Sequence, residues 1–266
     1  FFAISRQKYP AQAIQLVGWR GRLAAGLCLL PFVVGFVLPG GVILAHALAN
    51  AERWLDPDLF RAFVNTLSVA GSAALLTVLA SVYMVYGVRM TGRRLPALLL
   101  PLTTIGYAAP GAVLAVGLLY PMSAIDHALA DLVEAVTGRD IGLLMTGSAF
   151  AIIYAYFVRF FVIAQGATDA AFGRMPPSLP MAARTLGQSP GGTLRRIYVP
   201  LIRGSVGTAL LLVFVDCVKE LPATLLLRPF TFNTLSTLVF EQASLDPLVN
   251  ASPAALLVLC VALCAF

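Results

Sequence analysis

Long apolar stretches alternate with short polar connections along the whole chain. A helix needs about 20 mostly apolar residues to cross a bilayer, and most of these stretches are that long. The stretches cover about 23–48, 64–87, 95–119, 142–166, 206–227 and the residues from 253 onward. The pattern therefore predicts an all-α integral membrane fold with about six transmembrane helices.

Composition supports a membrane protein and argues against a soluble one. Hydrophobic residues make up 59% of the 266 residues and charged residues only 11%, with a mean hydropathy of +0.89. Soluble domains carry roughly 25% charged residues. The net charge of +6 could indicate nucleic-acid binding, but the basic residues lie between apolar stretches and form no single run. We therefore expect no nucleic-acid partner.

The connections between the stretches alternate in charge. Twelve basic residues fall in the N-terminal arm, the connection near residues 88–94 and the segment 167–204, whereas four fall in the other connections. Basic connections stay in the cytoplasm of membrane proteins. This asymmetry predicts a cytoplasmic N-terminus and a cytoplasmic loop at 167–204.

The loop 167–204 has the pattern of two short helices rather than of a simple linker. Residues 181–186 favour a helix that stops at Gly187, since glycine adopts the left-handed conformation that ends helices. A second helix is predicted to begin near Ser189 and to end at Pro200. Small alanines on the first helix would let another surface approach closely.

This loop resembles the EAA loop of ABC-importer permeases, whose short helix docks on a cytoplasmic ATPase. The spacing of the family is kept by Ala182, Ala183, Gly187, Ile197 and Pro200. Two residue types differ, since Met181 stands where the family usually has Glu and Val199 where it usually has Leu. The resemblance implies the type I permease fold, with these five residues forming the ATPase-coupling loop.

A narrower resemblance covers the fifth stretch. The run Lys-Glu-Leu-Pro-Ala-Thr at 219–224 is similar to the ferric-iron branch of the family, and Gln-Lys-Tyr at 7–9 resembles the linker of its fused twelve-span chains. The chain then corresponds to a C-terminal half. Residues 1–22 would be a cytoplasmic arm or inter-half linker, and 23–266 the permease domain.

The resemblance also implies partners and a place in the cell. The partners would be a cytoplasmic ABC ATPase dimer, a periplasmic substrate-binding protein, a second permease half and the lipid bilayer. The location would be the inner (plasma) membrane. Ferric iron is the leading substrate, and thiamine, polyamine, sulfate or a phosphonate are the alternatives within the family.

Four ionisable residues fall inside predicted spans, namely Arg159, Asp216, Lys219 and Glu220. A lone charge in hydrocarbon is costly, so partners are expected. Spacings of three and four place the last three residues on one face of a continuous helix, with Arg159 as a natural further partner. This cluster is predicted either to line the pathway or its gate, or only to fix helix packing.

The remaining chemistry excludes some alternatives. The sequence has no Gly-x-x-x-x-Gly-Lys-Ser/Thr loop, so the chain is not expected to be an enzyme and a partner would hydrolyse ATP. Its four cysteines and two histidines show no metal-ligand spacing, and we predict no metal site, cofactor or catalytic residue. A stand-alone secondary transporter or channel stays open as a different class.

Overall fold

The computed structural model describes residues 16–91, 98, 100–139, 142–176, 178–245 and 249–264. All regular structure in those ranges is helical. The helices are α1 (Trp19–Ala49), α2 (Pro57–Thr91), α3 (Ile105–Ala108), α4 (Gly111–Thr137), α5 (Ala149–Gly173), α6 (Leu179–Thr185), α7 (Pro190–Val218), α8 (Pro222–Leu227), α9 (Leu235–Leu245) and α10 (Ser252–Cys264). Short 3₁₀ helices precede α2 (Ala51–Leu55) and α3 (Leu100–Thr104).

Five of these helices are long and apolar enough to cross a membrane, namely α1, α2, α4, α5 and α7. The described part of the sixth apolar stretch, α10, is a shorter helix of 13 residues. The predicted all-α membrane fold is confirmed.

The core lies where α2, α5 and α7 pack against one another. Alanines without any exposed surface stand at this contact, namely Ala73 on α2, Ala155 and Ala164 on α5, and Ala209 on α7. Small side chains let membrane helices approach closely and gain packing contacts. The three helices therefore form the scaffold that holds the other elements.

The third predicted span is wrong in its bounds. The structure breaks the stretch at Ala109, whose backbone is extended, and Pro110, which precedes α4. Proline disfavours the helical conformation of the residue before it. The long helix therefore begins at Gly111 and continues to Thr137, through residues that the sequence pattern assigned to the connection between the stretches 95–119 and 142–166.

Several sequence-based assignments fall outside the residues that the structure describes. They are residues 1–15 of the predicted arm, with Arg6 and Lys8, and the charged residues Arg93, Arg94, Asp140 and Asp246. Within the described part, α1 begins at Trp19, inside the segment 1–22 that was assigned to the arm.

Candidate coupling loop and intramembrane charges

The short helix predicted before Gly187 is present. It is α6, and Gly187 follows it with a φ of 74°, in the left-handed region. The Gly187 N–H donates to the Arg184 carbonyl at 3.0 Å, and the Gln188 N–H donates to the Ala183 carbonyl at 3.0 Å. These bonds end the helix by satisfying carbonyls that would otherwise lack partners.

The two alanines of α6 face in different directions. Ala183 is buried, whereas Ala182 is exposed. Met181 and Leu186 are also exposed, with 61% and 79% of their surface accessible. Met181, Ala182 and Leu186 therefore form an exposed apolar patch at this helix, beside the exposed polar residues Arg184 and Thr185.

The second short helix does not end at Pro200, contrary to the prediction. The Ser189 side chain accepts the Gly192 N–H at 3.1 Å, and the helix that begins at Pro190 continues to Val218. A π-helical turn at Leu194–Tyr198, which contains the half-buried Ile197, precedes the exposed Pro200. Such a turn is compatible with a proline that cannot donate an N–H to the helix.

The four intramembrane charges form two pairs rather than one cluster. Helix α7 ends at Val218, so Glu220 does not share a helix face with Asp216, and the single-face prediction is wrong. Lys219 Nζ lies 2.5 Å from Asp216 Oδ1, and Arg159 Nε lies 3.4 Å from Glu220 Oε2. The expected contact of Arg159 with this region is confirmed, but only with Glu220.

The Arg159–Glu220 pair lies where two chain breaks meet. Arg159 Nη1 donates to the Ala109 carbonyl at 2.9 Å, at the break before α4, and Glu220 Oε1 accepts the Ala223 N–H at 3.3 Å, at the start of α8. A side chain at Gly111 would place its Cβ 2.4 Å from Glu220 Oε1. Glycine at that position lets the two breaks come together.

The two pairs differ in exposure. The side chains of Arg159 and Glu220 are 18% and 8% exposed, whereas those of Lys219 and Asp216 are 63% and 21% exposed. The first pair is therefore enclosed by the helices of this chain. The second is open and needs water or another protein surface around it.

Sequence reasoning missed two polar contacts made by buried side chains of the long helices. Asp126, buried on α4, accepts the N–H groups of Leu144, Met145 and Thr146 in the connection to α5. Tyr86, buried near the end of α2, donates its hydroxyl to the Pro190 carbonyl. An acid or a tyrosine in an apolar helix indicates that a polar partner is needed, but the sequence does not identify that partner.

Among the residues that the structure describes, no three His, Cys, Asp or Glu side chains lie close enough together to hold a metal ion.

Comparisons with known proteins identify transport permeases as relatives of this chain. The chain is 30% identical over 200 residues to an Fe(3+)-transport system permease protein of Haemophilus influenzae, covering 75% of this chain and 36% of that protein. It is 25% identical over 237 residues to a permease of Salmonella typhimurium named for 2-aminoethylphosphonate transport, covering 84% of this chain and 83% of that permease. It is 26% identical over 249 residues to a permease of Haloferax volcanii named for molybdenum transport, covering 92% of this chain and 87% of that permease.

A solved structure shares the fold. It is a bacterial alginate ABC transporter in complex with an alginate-bound periplasmic protein, and it aligns over 92% of both chains with a TM-score of 0.65 and 15% identity. No family model matches the chain. The chain spans about a third of the length of the iron permease and more than four fifths of the phosphonate and molybdenum permeases.

Proposed function

We infer that this chain, which belongs to the ABC-transporter permeases, forms the membrane-spanning permease half of an ABC importer. The observation that carries this proposal is the exposed apolar patch of Met181, Ala182 and Leu186 on α6, which ends at the left-handed Gly187. A patch of this kind suits a groove on a cytoplasmic ATPase. The family relatives support the same assignment.

The coupling step follows from the position of α6 in the chain. The helix lies between the end of α5 at Gly173 and the start of α7 at Pro190, and both of these helices belong to the core. When ATP closes the ATPase dimer, movement of α6 would shift the ends of α5 and α7 together. Two ATPase subunits need two such docking helices, so the functional unit includes a second permease half.

The substrate would pass between the two permease halves after release from a periplasmic binding protein. The open Asp216–Lys219 pair is our candidate for the surface facing that pathway, because exposed charges within a membrane require water or protein contact. The buried Arg159–Glu220 pair would hold the breaks beside it in position. In this role it would position the gate rather than bind substrate.

Ferric iron is the substrate we propose first. Its support is the 30% identity to an iron permease and the Lys-Glu-Leu-Pro-Ala-Thr run at 219–224. A phosphonate is the second candidate, because the permease named for 2-aminoethylphosphonate aligns over most of both chains. Proteoliposomes carrying the full transporter should accumulate radioactive Fe³⁺ in an ATP-dependent manner when supplied with the iron-loaded binding protein. Accumulation of 2-aminoethylphosphonate instead would overturn the iron assignment.

The coupling role is tested at Gly187. Gly187→Ala forces a Cβ into the left-handed region and should cost about 1 kcal/mol locally, which would tilt or fray α6. Gly191→Ala is the matched control, because Gly191 lies in the first turn of α7 without positive φ, and its added Cβ would meet no atom within 4 Å. We expect co-purification of the ATPase and uptake per transporter to fall for Gly187→Ala alone, with equal amounts of both variants in the membrane. Equal behaviour of both variants would remove the support for a coupling helix.

A further inference from the structure

Tyr86 links α2 directly to the start of α7. Its hydroxyl donates to the Pro190 carbonyl at 2.6 Å across 104 positions of sequence. Pro190 is the first residue of α7 and stands three residues after Gly187. The bond therefore fixes the segment that leaves the coupling loop to a core helix that is remote in sequence.

Aromatic packing surrounds this hydrogen bond. The rings of Tyr86, Phe172 and Tyr198 lie with their centroids 5.2 to 6.1 Å apart, and all three side chains are buried. Phe172 is in the last turn of α5, and Tyr198 ends the π-helical turn of α7. Aromatic contacts at these distances favour a fixed arrangement of the helices that carry them.

A salt bridge provides a second attachment of α2 close to Tyr86. Arg89, one turn beyond Tyr86 on α2, donates to the Asp169 carboxylate of α5 at 2.7 Å. Helix α2 is thus attached by Arg89 to the helix that enters the coupling loop and by Tyr86 to the helix that leaves it. It has no chain connection of its own to the loop.

We propose that Tyr86 is a positioning residue for energy coupling, which transmits movement of the coupling loop into α2 through the Pro190 carbonyl. The proposal rests on the proposed importer function. The hydroxyl performs this role, because the ring alone could slide against Phe172 and Tyr198 while the directional bond to the backbone could not. Without the bond, the N-terminal end of α7 could move while α2 stayed in place.

The first test measures the attachment and does not depend on transport. Hydrogen–deuterium exchange of residues 189–198 is followed in the full transporter for Tyr86→Phe and for Tyr83→Phe. Tyr83 is 76% exposed one turn earlier on α2, so it gives the same chemical change away from the contact. Loss of one hydrogen bond should speed exchange about five-fold in Tyr86→Phe alone. Unchanged exchange would overturn the proposal whatever the substrate is.

The second test measures coupling in proteoliposomes, with ferric citrate and the binding protein as the probe. Tyr86→Phe should keep ATP hydrolysis near the wild-type rate while the ATP consumed per Fe³⁺ transported rises about five-fold. A change in helix packing alone would lower the rate of ATP hydrolysis and the rate of Fe³⁺ uptake together. A normal ratio in Tyr86→Phe, beside a wild type that transports, would contradict the coupling role. A wild type that transports no Fe³⁺ would contradict the iron assignment, and the exchange test would then decide the role of Tyr86.

Discussion

Among the charged residues inside the membrane, a helix break decides the partner of Glu220, whereas spacing in sequence decides that of Lys219. Glu220 lies beyond the end of α7, where it faces Arg159, and Lys219 keeps Asp216 as its partner. We predict that Glu220→Gln lowers the stability of the purified protein by about 3 kcal/mol, because it leaves a buried guanidinium without its carboxylate. Thermal unfolding in detergent measures this loss.

The open pair supplies the control. Lys219→Met should cost less than about 1 kcal/mol, since the Lys219 side chain is mostly exposed and such pairs contribute little. The double change Arg159→Met with Glu220→Met should recover much of the stability lost in Glu220→Gln. Equal unfolding temperatures for Glu220→Gln and Lys219→Met would show that burial does not distinguish the two pairs.

At the scale of elements, the connection between α4 and α5 is held by one carboxylate. Asp126 accepts three consecutive backbone N–H groups, and Thr146 also donates its hydroxyl to it. Asp126→Asn should destabilise this connection by about 2 kcal/mol, because an amide cannot accept so many bonds and its own N–H₂ group faces other donors. Limited proteolysis should then cut within 142–148 much faster than in the wild type.

Asp131 provides the matched change on the same helix. It is exposed and lies five residues further along α4, so Asp131→Asn should leave the rate of cutting unchanged. If Asp126→Asn and Asp131→Asn are cut at the same rate, the carboxylate does not secure the connection.

At the scale of the whole molecule, the predicted orientation places the helix ends near Arg195 in the cytoplasm and those near Phe230 outside. Both residues are exposed, and they lie at opposite ends of the stretch formed by α7 and α8. In a cysteine-free background, Phe230→Cys should react with a membrane-impermeant maleimide in intact cells. Arg195→Cys should react only in inverted vesicles. The reverse labelling pattern would contradict the orientation that we derive from the basic connections.

The whole molecule also leaves one long apolar helix almost uncovered. Ala47 is the only buried residue of α1, and a Cβ added at Gly40 would contact Leu259 of α10 at 3.8 Å. A helix this apolar is stable against lipid or against another membrane subunit. Its exposure is what we expect if the chain is the permease half proposed above.

The sequence by itself determined the membrane fold, the helix before Gly187 and the need for partners around the intramembrane charges. These features depend on local properties, namely the length of apolar runs, the freedom of glycine at positive φ and the cost of charge in hydrocarbon. The family assignment also followed from local spacing, since the residues from Ala182 to Pro200 lie close together in the chain.

Only the tertiary structure decided where the long helices break and which polar groups meet. Proline marks both breaks, at Pro110 and Pro222, but proline also lies within the continuous helix at Pro200. A membrane helix breaks or continues according to whether neighbouring groups satisfy the freed backbone atoms. At the first break Arg159 binds the Ala109 carbonyl, and at the second Glu220 accepts a backbone N–H. Arg159 lies 50 positions from Ala109 in the chain and also pairs with Glu220 of a third helix connection, and for that reason the sequence pattern could not specify these contacts.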